Sequence, residues 1–388
     1  MREVFATFLR LGCTSFGGPI AHLAYFRRAF VEERRWLDES TFARIVGFCS
    51  VLPGPTSSQV GMLIGLTRGG PLGAAAAWLG FTAPSAILMT AFAAALFGAE
   101  RHATPAWFGG LLDGLFAAAA AVVAQAVIAL AASLCTDLST KTVAVGALAI
   151  ALALRPFPGW QWLPIALGAL AGGLALQAPG LRAEALPIRV PRSVSIASAV
   201  AFAALVALTA LPKSATTVLL ATLVRAGALV FGGGHVVLPL LQSLIRDGLI
   251  DTQDFFAGYG VVQAMPGPLN TFATFVGYAN GSPLHGLAGA AVATVLIFAP
   301  SFTLIFAIAP VWNRIVTLPR AAGALRGANA SVVGLLAAAL CDPVLVSLGA
   351  HPAGVAIAVA AFVAIVAWRA APWLVVAVAS VVGALLRA

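Results

Sequence analysis

Long apolar stretches separated by short polar connections run along the whole chain. Residues 71–97, 106–134 and 284–309 are each long enough to cross a bilayer as a helix, since a span needs about 20 apolar residues. Their hydrophobic positions are continuous instead of alternating, which favours helices over the strands of a barrel. The pattern predicts an all-α polytopic membrane protein.

Other apolar stretches contain helix-breaking residues. In the first half the breaks fall at Gly17-Gly18 and at Pro53-Gly54-Pro55, each flanked by apolar segments too short to cross a bilayer alone. A breaker inside apolar sequence is costly unless the interrupted backbone is used. We therefore expect broken or re-entrant helices, with two short helices meeting at each break.

The pattern of breaks occurs twice. Arg10 and the Phe-Gly-Gly sequence at 16–18 recur after 215 residues, and the Pro-Gly-Pro at 53–55 recurs after 213 residues. This recurrence identifies a duplication. We predict an N-terminal repeat over residues 1–177, a basic linker with one additional transmembrane helix over 178–212, and a C-terminal repeat over 213–388.

If each repeat crosses the membrane an even number of times, the single helix between the repeats gives them inverted topology. The loop before the first Pro-Gly-Pro holds four arginines, whereas the corresponding loop of the second copy holds one arginine and three aspartates. Arginine and lysine are retained on the cytoplasmic side of a membrane. The charge difference therefore favours opposite orientations of the two copies.

Each break begins a new helix whose free N–H groups and positive dipole end point toward the break. Four such ends, at Pro19, Pro55, His235 and Pro268, predict one anion site near the middle of the membrane. N-capping is the alternative role for the hydroxyl and amide side chains. The predicted substrate-binding residues in these breaks are Gly17, Gly18, Pro53, Gly54, Pro55, Thr56, Ser57, Ser58, Gln59, Gly232, Gly233, Gly234, Pro266, Gly267, Pro268 and Asn270.

Arg10 and Arg225 occupy equivalent positions about two turns before the glycine breaks. A charge at membrane depth indicates a functional site by default, so both are included among the candidate substrate-binding residues. The alternative is that each side chain extends to the membrane interface, because both lie in short segments.

Two histidines and two aspartates complete the candidate residues. His22 and His235 are candidates for proton coupling, because histidine titrates near neutral pH, against a purely structural role. Asp38 and Asp251 recur at matched positions. We expect them to cap the following half-helices, with coupling to transport as the alternative.

Composition supports the membrane class and narrows the partners. The chain is 61% hydrophobic and only 9% charged, with a mean hydropathy of +1.00, so its environment is a lipid bilayer. The net charge of +9 would suggest nucleic acid in a soluble protein, but here it lies in short loops and sets orientation. No Walker A, His-Glu-x-x-His or paired intramembrane carboxylates occur, so we expect a transporter, neither an enzyme nor a protein with a cofactor or metal.

The residues that carry these features resemble the chromate ion transporter family in its long-chain, two-domain form. The resemblance rests on Phe16-Gly17-Gly18-Pro19, the charged stretch at 30–37, and Pro53-Gly54-Pro55 followed by Ser58-Gln59-Val60-Gly61. It implies a multi-pass protein of the bacterial inner membrane that exports chromate and confers resistance. The alternatives are a transporter or channel for another oxyanion such as sulfate or molybdate. A homodimer is the candidate assembly.

The second copy departs from the first at both breaks. Gly234-His235 stands where the first copy has Pro19-Ile20, and Leu269-Asn270 stands where it has Thr56-Ser57. The sequence therefore leaves open whether both copies contact the substrate equally.

Overall fold

The computed structural model describes residues 1–98, 106–154, 162–176, 190–210, 214–230, 237–312, 318–345, 348 and 352–387. Within these ranges the chain is helical and has no strand. Four helices are long and apolar enough to cross a membrane: Thr56–Phe97, Trp107–Leu134, Gly286–Val311 and Pro319–Ala339. The predicted all-α polytopic class is confirmed.

The first half contains seven α-helices in the described ranges. They are α1 (Arg2–Thr14), α2 (Gly18–Arg27), α3 (Glu39–Val51), α4 (Thr56–Gly98), α5 (Ala106–Leu134), α6 (Leu138–Ala153) and α7 (Trp162–Ala175). A π-helical turn, Arg28–Glu33, extends α2. The predicted breaks at Gly17-Gly18 and Pro53-Gly54-Pro55 fall between α1 and α2 and between α3 and α4.

The connecting helix is α8 (Arg192–Leu208), which packs on a span of the second half, where Ser195 Oγ donates to Ala307 O at 3.1 Å. The predicted linker residues before it, 178–189, lie outside the described ranges. The second half then contains α9 (Ala215–Leu229), α10 (Val237–Leu241), α11 (Ser243–Arg246), α12 (Thr252–Ala264), α13 (Phe272–Ala279), α14 (Gly286–Ile308), α15 (Pro319–Ala339), α16 (Pro352–Val366) and α17 (Pro372–Arg387).

The helix after each Pro-Gly-Pro folds back on the long span that follows it. In α4 the backbone leaves helical geometry at Gly69 and Gly70. Gly65 and Gly73 then lie so close that a Cβ on either would overlap the carbonyl oxygen of the other. Gly277 of α13 and Gly289 of α14 make the same contact in the second half. Each repeat thus holds its short helix beside a full-length span through one glycine pair.

A cluster of aromatic side chains fixes the first half-helices. Phe8 of α1, Phe26 of α2 and Phe81 of α4 are buried, and the ring centroids of Phe26 and Phe81 lie 5.1 Å apart in an edge-on arrangement. Aromatic pairs of this geometry contribute about 0.5–1.5 kcal/mol beyond area burial. The C-terminal end of α2 is therefore held against α4.

The last helices of each half pack against the other half. The central helix of the first half, α5, lies along α16 and α17, while the central helix of the second half, α15, lies along α6 and α7. At each contact glycine meets glycine: Gly110 faces Gly383, and Gly168 faces Gly327. The halves are thus interlocked. The two sets of contacts are equivalent, because in each half the central helix packs on the last two helices of the other half. The opposite orientation of the two copies in a membrane stays a prediction.

Candidate functional site

The two Pro-Gly-Pro sequences are joined to the opposite half by backbone hydrogen bonds. The Gly54 N–H donates to Val230 O at 2.5 Å, and the Gly267 N–H donates to Ser15 O at 2.9 Å. Ser15 and Val230 are equivalent positions, since each precedes the glycine break of its own half. Each Pro-Gly-Pro therefore contacts the chain just after the first helix of the other repeat, at Val230 after α9 and at Ser15 after α1. The predicted residues Gly232, Gly233, Gly234 and His235 lie outside the described ranges.

Both central glycines have backbone conformations that favour glycine. The φ angle is 131° at Gly54 and 94° at Gly267, a region that other residues occupy only with strain. A Cβ on Gly54 would lie 2.8 Å from Ser301 Cβ, and a Cβ on Gly267 would lie 2.8 Å from Ser85 Oγ. Each Pro-Gly-Pro thus faces the serine at the equivalent position of the opposite repeat.

The first turn of α4 is buried and polar. Thr56, Ser57, Ser58 and Gln59 are all shielded from solvent. Gln59 Nε2 donates to Pro53 O and to Ser301 Oγ, each at 2.8 Å. This amide therefore ties the first Pro-Gly-Pro to α14 of the second half.

His22 connects α2 to the same turn. Its side chain is buried, Nδ1 lies 3.2 Å from Ser57 Oγ, and its ring packs edge-on against Phe81 at 5.2 Å. The carbonyl oxygen of Phe81 would lie 3.3 Å from a Cβ on Gly267. The histidine, the start of α4 and the second Pro-Gly-Pro are therefore close neighbours. At the start of α2, Gly17 and Gly18 have positive φ angles of 96° and 77°.

The second copy of the Pro-Gly-Pro differs from the predicted geometry. A 3₁₀ turn, Leu269–Thr271, follows Pro268, and α13 begins only at Phe272. The Thr271 hydroxyl donates to Pro268 O at 2.8 Å, which closes this tighter turn. The expectation of an α-helix starting at Pro268 is thus wrong in detail, whereas α4 does start directly after Pro55. Asn270 is buried in this turn.

Several buried polar atoms around the breaks have no hydrogen-bond partner. Leaving such an atom unpaired costs about 1–3 kcal/mol, so this concentration of unpaired atoms is suited to a polar ligand. The atoms, each on a side chain that is at most 2% exposed, are Ser15 Oγ, His22 Nε2, Ser58 Oγ, Gln59 Oε1 and Asn270 Nδ2. We call these five residues the polar cluster.

Three serines at this site were not predicted as site residues. Ser15 belongs to the polar cluster, and Ser85 and Ser301 border the two Pro-Gly-Pro sequences. A signal for the last two exists in the sequence, because the dipeptide Pro-Ser recurs at 84–85 and 300–301. No local signal distinguishes Ser15, since its role depends on a contact with the other half.

The two equivalent arginines have different surroundings. Arg10 is exposed on α1. Arg225 is partly buried, and its Nε donates to Ala221 O of its own helix at 3.2 Å. The hydrogen bond of Arg225 is thus directed along α9, and the exposed Arg10 fits the alternative in which the side chain extends to the membrane interface.

The two candidate aspartates cap helices, as expected from the sequence. Asp38 accepts from the Thr41 N–H at 2.7 Å and from the Ser40 hydroxyl at 2.7 Å, at the start of α3. Asp251 accepts from the Gln253 N–H at 2.8 Å, at the start of α12. The capping role is confirmed for both. Each cap begins the half-helix that leads into a Pro-Gly-Pro.

The Asp38 cap predicts a pH-dependent contribution to stability. The Thr41 N–H and the Ser40 hydroxyl stabilise the carboxylate and lower the pKa of Asp38 to about 2, from the ordinary value of 3.8. Because the pKa of Asp38 is lower in the folded protein, the ionised carboxylate stabilises the fold at pH values above its ordinary pKa. This stabilisation is lost as the pH falls through about 2. We expect Asp38→Ala to lower the midpoint of thermal denaturation in detergent at neutral pH, and the difference from wild type to shrink at acidic pH. A constant difference at every pH would contradict this.

Comparisons with known proteins cover both halves of the chain. A family model described as Chromate transporter matches residues 2–176 and 217–384. A chromate transport protein of Pseudomonas aeruginosa is 31% identical over 378 residues, which span 95% of this chain and 87% of that protein. A chromate transport protein of Cupriavidus metallidurans is 24% identical over 349 residues, 88% of this chain and 82% of that protein. An uncharacterized transporter of Methanocaldococcus jannaschii is 27% identical over 328 residues, 80% and 76% of the two chains. No solved structure gives a significant match.

Proposed function

Because this chain belongs to the chromate transporter family, we propose that it is a secondary transporter that exports chromate across the bacterial inner membrane. Export of chromate would confer resistance to it. The chain is a multi-pass membrane protein whose family match includes both repeats. Ion gradients or the membrane potential would supply the energy, since the export of an anion from a negative interior releases about 2.3 kcal/mol per charge per 100 mV.

The crosswise contact between the repeats is the observation that carries the proposed site. Each Pro-Gly-Pro donates one backbone hydrogen bond to the opposite repeat, to Val230 O or Ser15 O, two residues before the first glycine of that repeat's glycine sequence. The polar cluster surrounds these contacts with buried, unpaired side chains. Helix starts at Gly18 and Thr56 would add backbone N–H groups and the positive ends of two dipoles. The polar cluster offers neutral donors and no fixed positive charge. It therefore suits an oxyanion that has to be released as well as bound.

Transport requires the site to open to each side of the membrane in turn. Broken helices at the interface of two repeats favour a mechanism in which the repeats rock around a central site. The hydrogen bonds at Gly54 and Gly267 lie at that interface. We propose that the glycines and prolines of the breaks let the anion approach the backbone. His22, a candidate for proton coupling on sequence grounds, lies beside Ser57 and belongs to the polar cluster.

Transport of labelled anions into inverted membrane vesicles tests the substrate. We expect vesicles that contain the protein to accumulate chromate with saturable kinetics and to exchange it with unlabelled chromate. Sulfate and molybdate are the rival substrates, because helix ends and hydroxyl groups bind any oxyanion of similar size. Transport of sulfate without chromate would contradict the substrate, and flux that neither saturates nor exchanges would favour a channel.

A further inference from the structure

Gln59 places an obligate hydrogen-bond acceptor among the polar cluster. Its Nε2 must face Pro53 O, 2.8 Å away, because a carbonyl oxygen only accepts. The same nitrogen lies 2.8 Å from Ser301 Oγ. This orientation leaves Oε1 on the other side of the amide, where it is buried and has no partner. The assignment of the two amide atoms thus follows from the network.

Three other members of the polar cluster can donate hydrogen bonds, whereas the role of His22 Nε2 depends on its tautomer. Ser15 and Ser58 carry unpaired hydroxyl groups, and Asn270 carries an unpaired amide nitrogen. A hydroxyl both donates and accepts, whereas an amide oxygen only accepts. A bound ligand would therefore need acceptors for most of these groups and at least one donor for Gln59 Oε1.

Few charged or titratable groups lie on the elements around Gln59. The α14 helix has none, and α4 has none before Arg68. The neighbouring helices carry other such groups: Arg2, Glu3, Arg10 and Cys13, all exposed, on α1; His22, Tyr25 and Arg27 on α2; Glu39, Arg44 and the buried Cys49 on α3; Arg225 on α9; Asp254 and Tyr259 on α12; and Tyr278 on α13. Of these, His22 contacts the first turn of α4, through Ser57.

A fully deprotonated oxyanion presents only acceptors, so it would be repelled by Gln59 Oε1 and would leave that oxygen unpaired. An oxyanion with one proton can donate to it. Building on the proposed function, we propose that the site binds chromate as the singly protonated hydrogen chromate ion, whose hydroxyl donates to Gln59 Oε1.

Binding of the protonated anion would let the site distinguish chromate from sulfate. Hydrogen chromate is a weak acid and is partly protonated near neutral pH, whereas hydrogen sulfate is a strong acid and is deprotonated there. Sulfate of the same shape would thus be rejected for lack of a proton. The proton stays bonded to the chromate oxygen during transport and is released when the anion equilibrates on the far side. Each cycle moves one proton and one net negative charge.

The pH dependence of KM in proteoliposomes tests the protonation state. Initial rates of chromate flux are measured with the wild-type protein over a pH series, with the membrane potential clamped. We expect KM for total chromate to rise about tenfold per pH unit on the alkaline side of the hydrogen chromate equilibrium, because only that fraction is competent to bind. KM calculated for hydrogen chromate should stay constant. A KM for total chromate that is constant or falls with rising pH would overturn the inference, whereas absence of flux at every pH would overturn the proposed function.

Three variants test whether the pH dependence of KM comes from protonation of chromate or from protonation of a protein side chain. In His22→Asn the slope of KM with pH should persist, and its loss would overturn the inference by assigning the proton to the protein. Gln59→Met removes the acceptor and should flatten the slope. Its matched control, Ser301→Ala, keeps Oε1 and should retain the slope. A wild-type slope in Gln59→Met would contradict the role of this oxygen, and the wild-type series stays decisive if that variant does not fold.

Discussion

Replacing Gly54 or Gly267 by alanine is expected to reduce chromate flux by more than about tenfold while the protein still inserts into the membrane. The φ angles of 131° and 94° strain any residue with a Cβ, at a cost of about 1–3 kcal/mol, and 1.36 kcal/mol corresponds to about a factor of ten. The new methyl group would also overlap Ser301 or Ser85 of the opposite repeat. Both effects act on the contact that joins the Pro-Gly-Pro sequences to the other half.

Gly47→Ala is the matched control. Gly47 lies on α3, which leads into the first Pro-Gly-Pro, and a Cβ there meets nothing within 4 Å. We expect its flux to equal that of wild type. If Gly54→Ala and Gly267→Ala both transport normally, the crosswise contact is not required for transport. A loss in only one of them would show that the two copies contribute unequally, as the differences between Thr56-Ser57 and Leu269-Asn270 suggest.

Gly327→Val is expected to lower the stability of the folded protein strongly. A Cβ at Gly327 would overlap the Gly168 carbonyl oxygen and lie 2.8 Å from the carbonyl carbon. The two helices α7 and α15 would have to separate, and overpacking of this kind costs about 1–3 kcal/mol or more. The measurement is the midpoint of thermal denaturation in detergent, together with the yield of monodisperse protein.

Gly146→Val serves as the control for the interlocking contact. It lies on α6, which also packs along α15, but a Cβ there meets nothing within 4 Å. Valine at this position should leave the midpoint close to that of wild type, because its helix propensity is no worse than that of glycine. Equal midpoints for Gly327→Val and wild type would refute the close packing of the two halves.

Local features of this fold could be predicted from the sequence. The span over 106–134 matches α5, and the breaks at Gly17-Gly18 and at the first Pro-Gly-Pro end and begin helices within one or two residues of the expected positions. Hydrophobic period and helix-breaking residues act within a few residues of chain, so the sequence carries them directly. The capping role of Asp38 is predictable for the same reason.

The contacts between the repeats could not be predicted. Gly54 bonds to Val230 and Gln59 bonds to Ser301, and neither pair has a local signal because the partners are far apart in the chain. The same limit applies to Arg10 and Arg225. Their sequence positions are equivalent, but the helices packed around them leave one exposed and the other partly buried. The duplication identified which residues recur but not which half each one meets.

Equilibrium dialysis of chromate against the purified protein tests most directly whether the polar cluster binds the anion. Ser58→Ala and Asn270→Leu remove one unpaired polar group from each repeat, and Gly47→Ala again serves as the control. Because a lost hydrogen bond to a charged ligand costs about 1.5–3 kcal/mol, we predict that Kd rises by about tenfold or more in the first two variants. The control should keep the wild-type Kd. Wild-type Kd values in both Ser58→Ala and Asn270→Leu would contradict an anion site at the junction of the two repeats.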